Sequence, residues 1–155
     1  KGLVDAGFSV TVASLEVGSC FGKFGGEEKA EVAIRDVRVD DFDRVAFIGG
    51  PGAAELAENT DAHRIARDTV AHGKVLGAIC IAPTILARAG VLRGKKATVW
   101  DPSTGSGQVA LPTPSQVLRE CGAQYTGEAV TVDGKIVTAN GPAAAEEFGR
   151  RLASI

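Results

Sequence analysis

The sequence is poor in the residues that several common functions need. It has two histidines, His63 and His72, one tryptophan, one tyrosine and three cysteines in 155 residues. Two histidines exclude a histidine-rich metal centre. One Trp and one Tyr exclude an aromatic platform on which nucleic-acid bases could stack. Cys20, Cys80 and Cys121 are odd in number and widely spaced, which fits neither a disulfide framework nor a zinc-ligand pattern. Reduced thiols in a cytoplasmic protein are the expectation. Charge of one sign is also lacking: 17 basic residues face 19 acidic ones, for a formal net charge of −2. The signs are interspersed, so no basic stripe points to nucleic acid or to an anionic membrane as partner. No apolar run approaches the ~20 residues of a membrane span. Lys1–Gly7 lacks the apolar region and cleavage site of a signal peptide.

What is present is an ordinary globular balance, with 45% hydrophobic and 23% charged residues, enough for one domain over 1–155 with its own core. Periodicity and punctuation predict alternating strands and helices. Gly2–Ala6 reads as the tail of a helix and Phe8–Ala13 as a short strand. Val17–Gly26 is glycine-rich and reads as a loop, Ala30–Val39 alternates like part of a peripheral hairpin, and Asp41–Asp43 is a turn. Arg44–Ile48 is a continuous apolar strand of the kind buried on both faces of a parallel sheet. A helix follows Gly49-Gly50-Pro51-Gly52 and closes at His72-Gly73. Lys74–Ile79 is a second buried strand, leading directly into a helix over Ala82–Ala89 that ends at Gly90. Ala97–Trp100 reads as a strand, Asp101–Pro114 as a long surface loop and Ser115–Cys121 as a helix. Val130–Val132 and Ile136–Ala139 flank Asp133-Gly134, a hairpin signal. The last helix runs from Ala143 to Leu152. Such alternation implies an α/β fold, with helices on both faces of a mainly parallel sheet. Ligands of these sheets bind beyond the carboxyl ends of the strands. The turns after Ile48 and Ile79 both lie there, which predicts one pocket.

Cys80 carries the sharpest chemical signal. In Val75–Pro83 a buried strand passes into a helix with almost no loop, which is the logic of a nucleophile elbow. A thiol so placed lies near a helix N-terminus, where the dipole favours the thiolate. Gly77, Ala78 and Ala82 are small enough to let the turn close. The alternative reading makes Cys80 a small buried hydrophobe. Gly49–Gly52 lacks the Lys and Ser/Thr of a phosphate loop. It reads either as a turn requiring positive φ or as part of an anion pocket, with backbone N–H groups of Gly50 and Ile81 facing a developing oxyanion. Cys20 and Cys121 read as incidental, His63 and His72 as solvated helix residues, and Glu27-Glu28 as a solvated loop face. Glu16 and Glu128 are carboxylates that could approach the pocket, with nothing in the sequence to select them.

Four segments together resemble the ThiJ/PfpI superfamily in order and spacing: Phe47–Gly52 (FIGGPG), Gly77–Pro83 (GAICIAP), Ala89–Lys95 (AGVLRGK) and Val132–Pro142 (VDGKIVTANGP). The pairing of A-I-C-x-x-P with D-G-x-I-V-T-x-x-G-P is the specific part, and the likeness spans nearly the whole chain. The resemblance implies a flavodoxin-like three-layer sandwich, a homodimer or larger homo-oligomer, Cys80 as nucleophile, and an oxyanion pocket at the Gly50 and Ile81 amides. It implies no metal and no organic cofactor. Members are described as peptidases, cofactor-free glyoxalases, deglycases, chaperones or oxidation sensors.

Two departures shape the functional expectation. Peptidases of the family carry a His directly after the nucleophile; here Ile81 stands there, and a Cys-His mechanism loses its base. The family also begins with a central strand and a turn whose Glu hydrogen-bonds the cysteine. This sequence opens at what resembles the helix after them, so the resemblance implies that strand and carboxylate come from outside these residues. The expected function is a cysteine-dependent, cofactor-free enzyme acting on small reactive carbonyl or acyl substrates. The rivals are a non-enzymatic stress protein, acting as chaperone or oxidation sensor through Cys80, and a phosphate- or nucleotide-binding module resting on the glycine turn alone.

Overall fold

A computed structural model describes residues 2–102 and 110–155. The chain runs through helix α1 (Gly2–Asp5), strand β1 (Ala13–Ser14), a hairpin of β2 (Gly18–Phe21) and β3 (Glu27–Ala30), and β4 (Val32–Ala33). Next come β5 (Arg44–Ile48), α2 (Thr60–Ala71), β6 (Val75–Ile79), α3 (Pro83–Arg88) and β7 (Lys96–Ala97). The remainder is α4 (Pro114–Glu120), β8 (Gln124–Tyr125), β9 (Val130–Asp133), β10 (Ile136–Ala139) and α5 (Ala145–Ser154). The main sheet has the order β5-β6-β10-β9, with β5, β6 and β10 parallel and β9 antiparallel to β10.

Strand alternation divides the core into two layers. Leu76, Ala78 and Ile136 face α2, α3 and α4 in one cluster, alongside Ile65, Ile85 and Leu118. Val75, Ile79, Val137 and Ala139 face α5, with Phe148 and Leu152. Helices on both faces of a mainly parallel sheet make the three-layer sandwich expected of the sequence. Gly77 points into the second layer. A Cβ there would lie 2.7 Å from Leu152 Cδ1 and 2.9 Å from Phe148 Cζ, so its missing side chain sets how close α5 can sit.

The punctuation explains the element ends. Asn59 caps α2, its side chain accepting the Ala62 N–H at 2.9 Å, and Gly73 follows the helix at φ 64°. Thr113 and Gln116 form a reciprocal capping box at α4. Gly134, at φ 59°, turns the β9–β10 hairpin.

Several predicted elements differ. Phe8–Val12 forms no strand, and pairing begins only at Ala13–Ser14, parallel to Val32–Ala33. An apolar β-branched run becomes a strand only where a partner exchanges hydrogen bonds with it. The expected Val17–Gly26 loop is largely the β2–β3 hairpin, its Gly22 N–H bonding Gly26 O at 2.7 Å; its glycines serve the turn. Ala30–Val39 is not one hairpin strand: after Val32–Ala33 it breaks into 3-10 turns at Ile34–Asp36 and Val39–Asp41. The second turn is pinned by Lys74, whose Nζ donates to the carbonyls of Val39, Asp40 and Phe42. The helix expected directly after Gly52 is first a 3-10 segment, Pro51–Leu56. β5 lies at the sheet edge, so Ile48 is 65% exposed where burial on both faces was expected. Val99 and Trp100 extend β7 without joining a ladder. Most of the Asp101–Pro114 loop lies outside the described residues.

Candidate active site at the Cys80 elbow

Cys80 is the first residue after β6 and has φ 65°, the sole non-glycine with positive φ among the described residues. L-residues rarely occupy this region, and holding a cysteine there costs on the order of 1–3 kcal/mol. The neighbouring strands fix it. The Cys80 N–H donates to the Ala139 carbonyl at the end of β10, and the Cys80 carbonyl accepts the Trp100 N–H, both at 2.9 Å. The chain then coils without a loop: Ala82, Thr84 and Ile85 donate their N–H groups to Ile79, Ile81 and Ala82. The Ile81 N–H is not among those bonds. Pro83 opens α3, where its missing N–H is no loss.

The turn after β5 packs directly against this elbow. A Cβ on Gly49 would lie 2.6 Å from the Ile79 oxygen, 2.7 Å from Cys80 Cβ and 3.0 Å from the Ile81 nitrogen. Gly49 is therefore glycine for lack of space. Gly50, at φ 141°, has nothing within 4 Å of the place its Cβ would take. The two turns that the sequence assigned to one pocket lie side by side, bringing Gly50, Cys80 and Ile81 together.

The other candidates lie elsewhere. The Glu16 carboxylate is paired with Arg35 at 2.9 and 3.1 Å; that guanidinium's hydrogen bond, then its charge, holds Glu16 below the usual carboxylate range. Glu128 accepts from the Thr131 hydroxyl at 3.1 Å. His63 Nε2 meets the Ala57 carbonyl at 2.7 Å, and His72 Nδ1 lies 3.1 Å from Asp40. Glu27 and Glu28 are both exposed, on opposite faces of β3. Cys20, Cys80 and Cys121 are all free thiols, half-buried. Among the described residues no cluster of His, Cys, Asp and Glu could hold a metal ion, and no helix is long and apolar enough to cross a membrane. An open groove of about 470 Å³ between β9 and α5, lined by Val130, Val132 and Ala144, bears no nucleophile. Sequence reasoning missed Gly49, although the Gly-Gly pair was visible, and Trp100, whose only signal was being the lone tryptophan.

Comparison with known proteins decides the family. The DJ-1/PfpI family model matches residues 1–155. The chain belongs to the DJ-1/PfpI family. It is 38% identical over 144 residues to an uncharacterized protein of Methanocaldococcus jannaschii, covering 92% of this chain and 66% of that protein. It is 32% identical over 141 residues to a deglycase of Pyrococcus horikoshii, covering 91% of this chain and 78% of the relative. A glutathione-independent glyoxalase of Caenorhabditis elegans is 28% identical over 122 residues, covering 79% of this chain and 59% of that one. Among solved structures, a ThiJ/PfpI domain protein from Brachyspira murdochii superposes with a TM-score of 0.87 at 27% identity, covering 97% of this chain and 80% of that one. The flavodoxin-like sandwich is thus the family's fold, and relatives of this chain carry deglycase and glyoxalase names.

Proposed function

We propose that this chain acts as a cofactor-free enzyme on small reactive carbonyl compounds, with Cys80 as its nucleophile. The observation that carries the reading is the positive φ of Cys80 at a strand-to-helix elbow. Backbone strain at a non-glycine residue persists only where surrounding structure enforces it, and such outliers cluster at reactive sites. Deglycase and glyoxalase relatives favour carbonyl chemistry over other cysteine reactions.

On this reading the Cys80 thiolate adds to the aldehyde carbon of a 2-oxoaldehyde, forming a C–S bond while the carbonyl oxygen gains negative charge. The Gly50 and Ile81 amides stabilise that oxygen until it is protonated to a hemithioacetal. The open space beside Gly50 and the absence of Ile81 from the bonds of the first turn support this assignment. Loss of the proton from the former aldehyde carbon and gain of one at the neighbouring carbon give a 2-hydroxy thioester. Water then releases the 2-hydroxy acid and restores the thiol, with no external redox partner. Glu16 and Glu128 are engaged elsewhere, and on this reading the base is the carboxylate that the family resemblance implies outside these residues. Ile81 cannot serve as a base and both histidines have other partners, which argues against a Cys-His peptidase.

The test is turnover of methylglyoxal to lactate by the natural full-length protein and by Cys80→Ser. Turnover that disappears with the thiol supports the enzyme. Suppression of client-protein aggregation that survives the substitution, without turnover, supports the non-enzymatic stress protein instead.

A further inference from the structure

The four turns around Cys80 carry no basic residue. Ile48–Gly52, Ala78–Pro83, Val99–Pro102 and Ala139–Pro142 contain no Lys, Arg or His, and the sequence from Pro102 to Leu118 carries no charged residue at all. Asp101 is the one carboxylate on these turns, and its Oδ2 accepts the Ser115 N–H at 3.0 Å. A carboxylate- or phosphate-bearing substrate would find no counter-charge on these turns.

A large apolar side chain stands in the place of charge. Trp100, three residues beyond the end of β7, is 43% exposed. Trp100 is joined to the elbow by the hydrogen bond between its N–H and the Cys80 carbonyl. Its ring edge passes Gly141: a Cβ on that glycine would lie 3.9 Å from Trp100 Cδ1. Gly141 is two residues beyond Ala139, the acceptor of the Cys80 N–H. The lone indole of the chain is therefore tied through its backbone to the elbow and its ring edge borders the turn after β10, while the Gly49 turn closes the side of β5. Tryptophan exposed to this degree leaves a broad apolar surface in water, and covering it with a flat apolar group is favourable.

We propose that Trp100 is a specificity-determining residue, whose ring makes the Cys80 site select uncharged carbonyl compounds bearing an aromatic or bulky apolar substituent over small or anionic ones. As a statement of substrate class this rests on the carbonyl-enzyme reading; as a statement of recognition beside the thiol it does not. The substituent lies against the indole while the electrophilic carbon meets Sγ, so the contact is made as the C–S bond forms.

Two measurements separate the proposal from that reading. The first is the ratio of kcat/KM for phenylglyoxal to that for methylglyoxal, with 4-carboxyphenylglyoxal as the anionic comparison, in the natural protein, Trp100→Ala and Trp100→Phe. The natural protein should favour phenylglyoxal about tenfold, the scale of one good aromatic contact together with the area it buries. The ratio should fall to near one in Trp100→Ala and be largely kept in Trp100→Phe; 4-carboxyphenylglyoxal should be a poorer substrate than phenylglyoxal. The second needs no turnover: alkylation of Cys80 by phenacyl bromide relative to bromoacetone, in which the thiolate displaces bromide from the same CH₂ beside a ketone. That preference, read by peptide mass spectrometry with Cys121 as internal control, should drop about fivefold or more in Trp100→Ala, again following aromatic contact. Turnover absent with the labelling preference present sinks the carbonyl enzyme and leaves the indole's role standing. A labelling preference equal in the natural protein and Trp100→Ala overturns the proposal, whatever the turnover. Circular dichroism on each variant identifies a folding failure, and Trp100→Phe keeps the comparison valid if Trp100→Ala does not fold.

Discussion

Replacing Gly49 by Ala adds one methyl group at the point where the two site turns touch. Three backbone or near-backbone atoms lie within 2.6–3.0 Å of the new Cβ: the Ile79 oxygen, Cys80 Cβ and the Ile81 nitrogen. None is the end of a flexible side chain, so the methyl must drive the turns apart by several tenths of an ångström. Overpacking of this kind costs about 1–3 kcal/mol. For a domain of this length, each kcal/mol lowers the melting temperature by roughly 2–4 °C. Gly52→Ala, three residues away, is the matched control: nothing lies within 4 Å of its Cβ, and its φ is outside the left-handed region. It should change stability by no more than about 0.5 kcal/mol. Urea unfolding of both variants measures the difference directly. There is also a chemical consequence, because displacing reacting groups by about 1 Å can cost 100-fold in rate. Gly49→Ala, which shifts the turns by only part of that distance, should therefore depress Cys80-dependent turnover by roughly tenfold while the protein remains folded. If both variants matched the natural protein in stability and turnover, the close approach of the two turns would be irrelevant to the site.

Other expected outcomes follow from the same structure. Cys80→Gly should be about 1 kcal/mol more stable than Cys80→Ala in chemical denaturation, because glycine relieves the φ of 65°; equal stabilities would mean the elbow is not strained. Leu152→Ala, at a site 1% exposed beneath Gly77, should cost about 2–5 kcal/mol by the same assay. Thr113→Ala, which breaks the capping box of α4, should cost about 1 kcal/mol and leave turnover intact. Glu147 is held below the usual carboxylate range by its hydrogen bond to Arg150, then by that to Arg151. Its stabilising contribution is present above its unfolded pKa of about 4.3 and is lost as pH falls through the depressed folded value. The stability gap between the natural protein and Glu147→Gln, followed in urea melts across pH, should therefore close on acidification and also with added salt.

How much of this was legible depends on whether the signal was local. Arg44–Ile48 and Ile136–Ala139 were placed to the residue, because continuous apolar runs bounded by turn residues leave little choice. Gly73 and Gly90 end helices by their own stereochemistry and could be read without tertiary context. Phe8–Val12 could not. Its composition is that of a strand, but strand formation depends on a partner that no local pattern encodes. The β2–β3 hairpin was hidden because four glycines outweighed Ser19, Cys20 and Phe21 in a composition reading. Within the site, Cys80 was legible from the missing loop between β6 and α3. The close approach of Gly49 and the hydrogen bond of Trp100 to the elbow were not, because each involves a residue at least 20 positions away. The exclusion of Glu16 likewise required seeing Arg35 across the fold.

The central claim is that Cys80 is the reactive thiol, and competitive labelling tests it most directly. Limiting iodoacetamide is added to the natural protein with and without methylglyoxal, and alkylation at Cys20, Cys80 and Cys121 is followed over time by peptide mass spectrometry. All three thiols are free and similarly half-buried, so exposure alone does not favour one. The account predicts that Cys80 is labelled first and that methylglyoxal protects it selectively. Labelling of Cys80 no faster than the other two, or unaffected by the carbonyl compound, would contradict it and leave the elbow as scaffold.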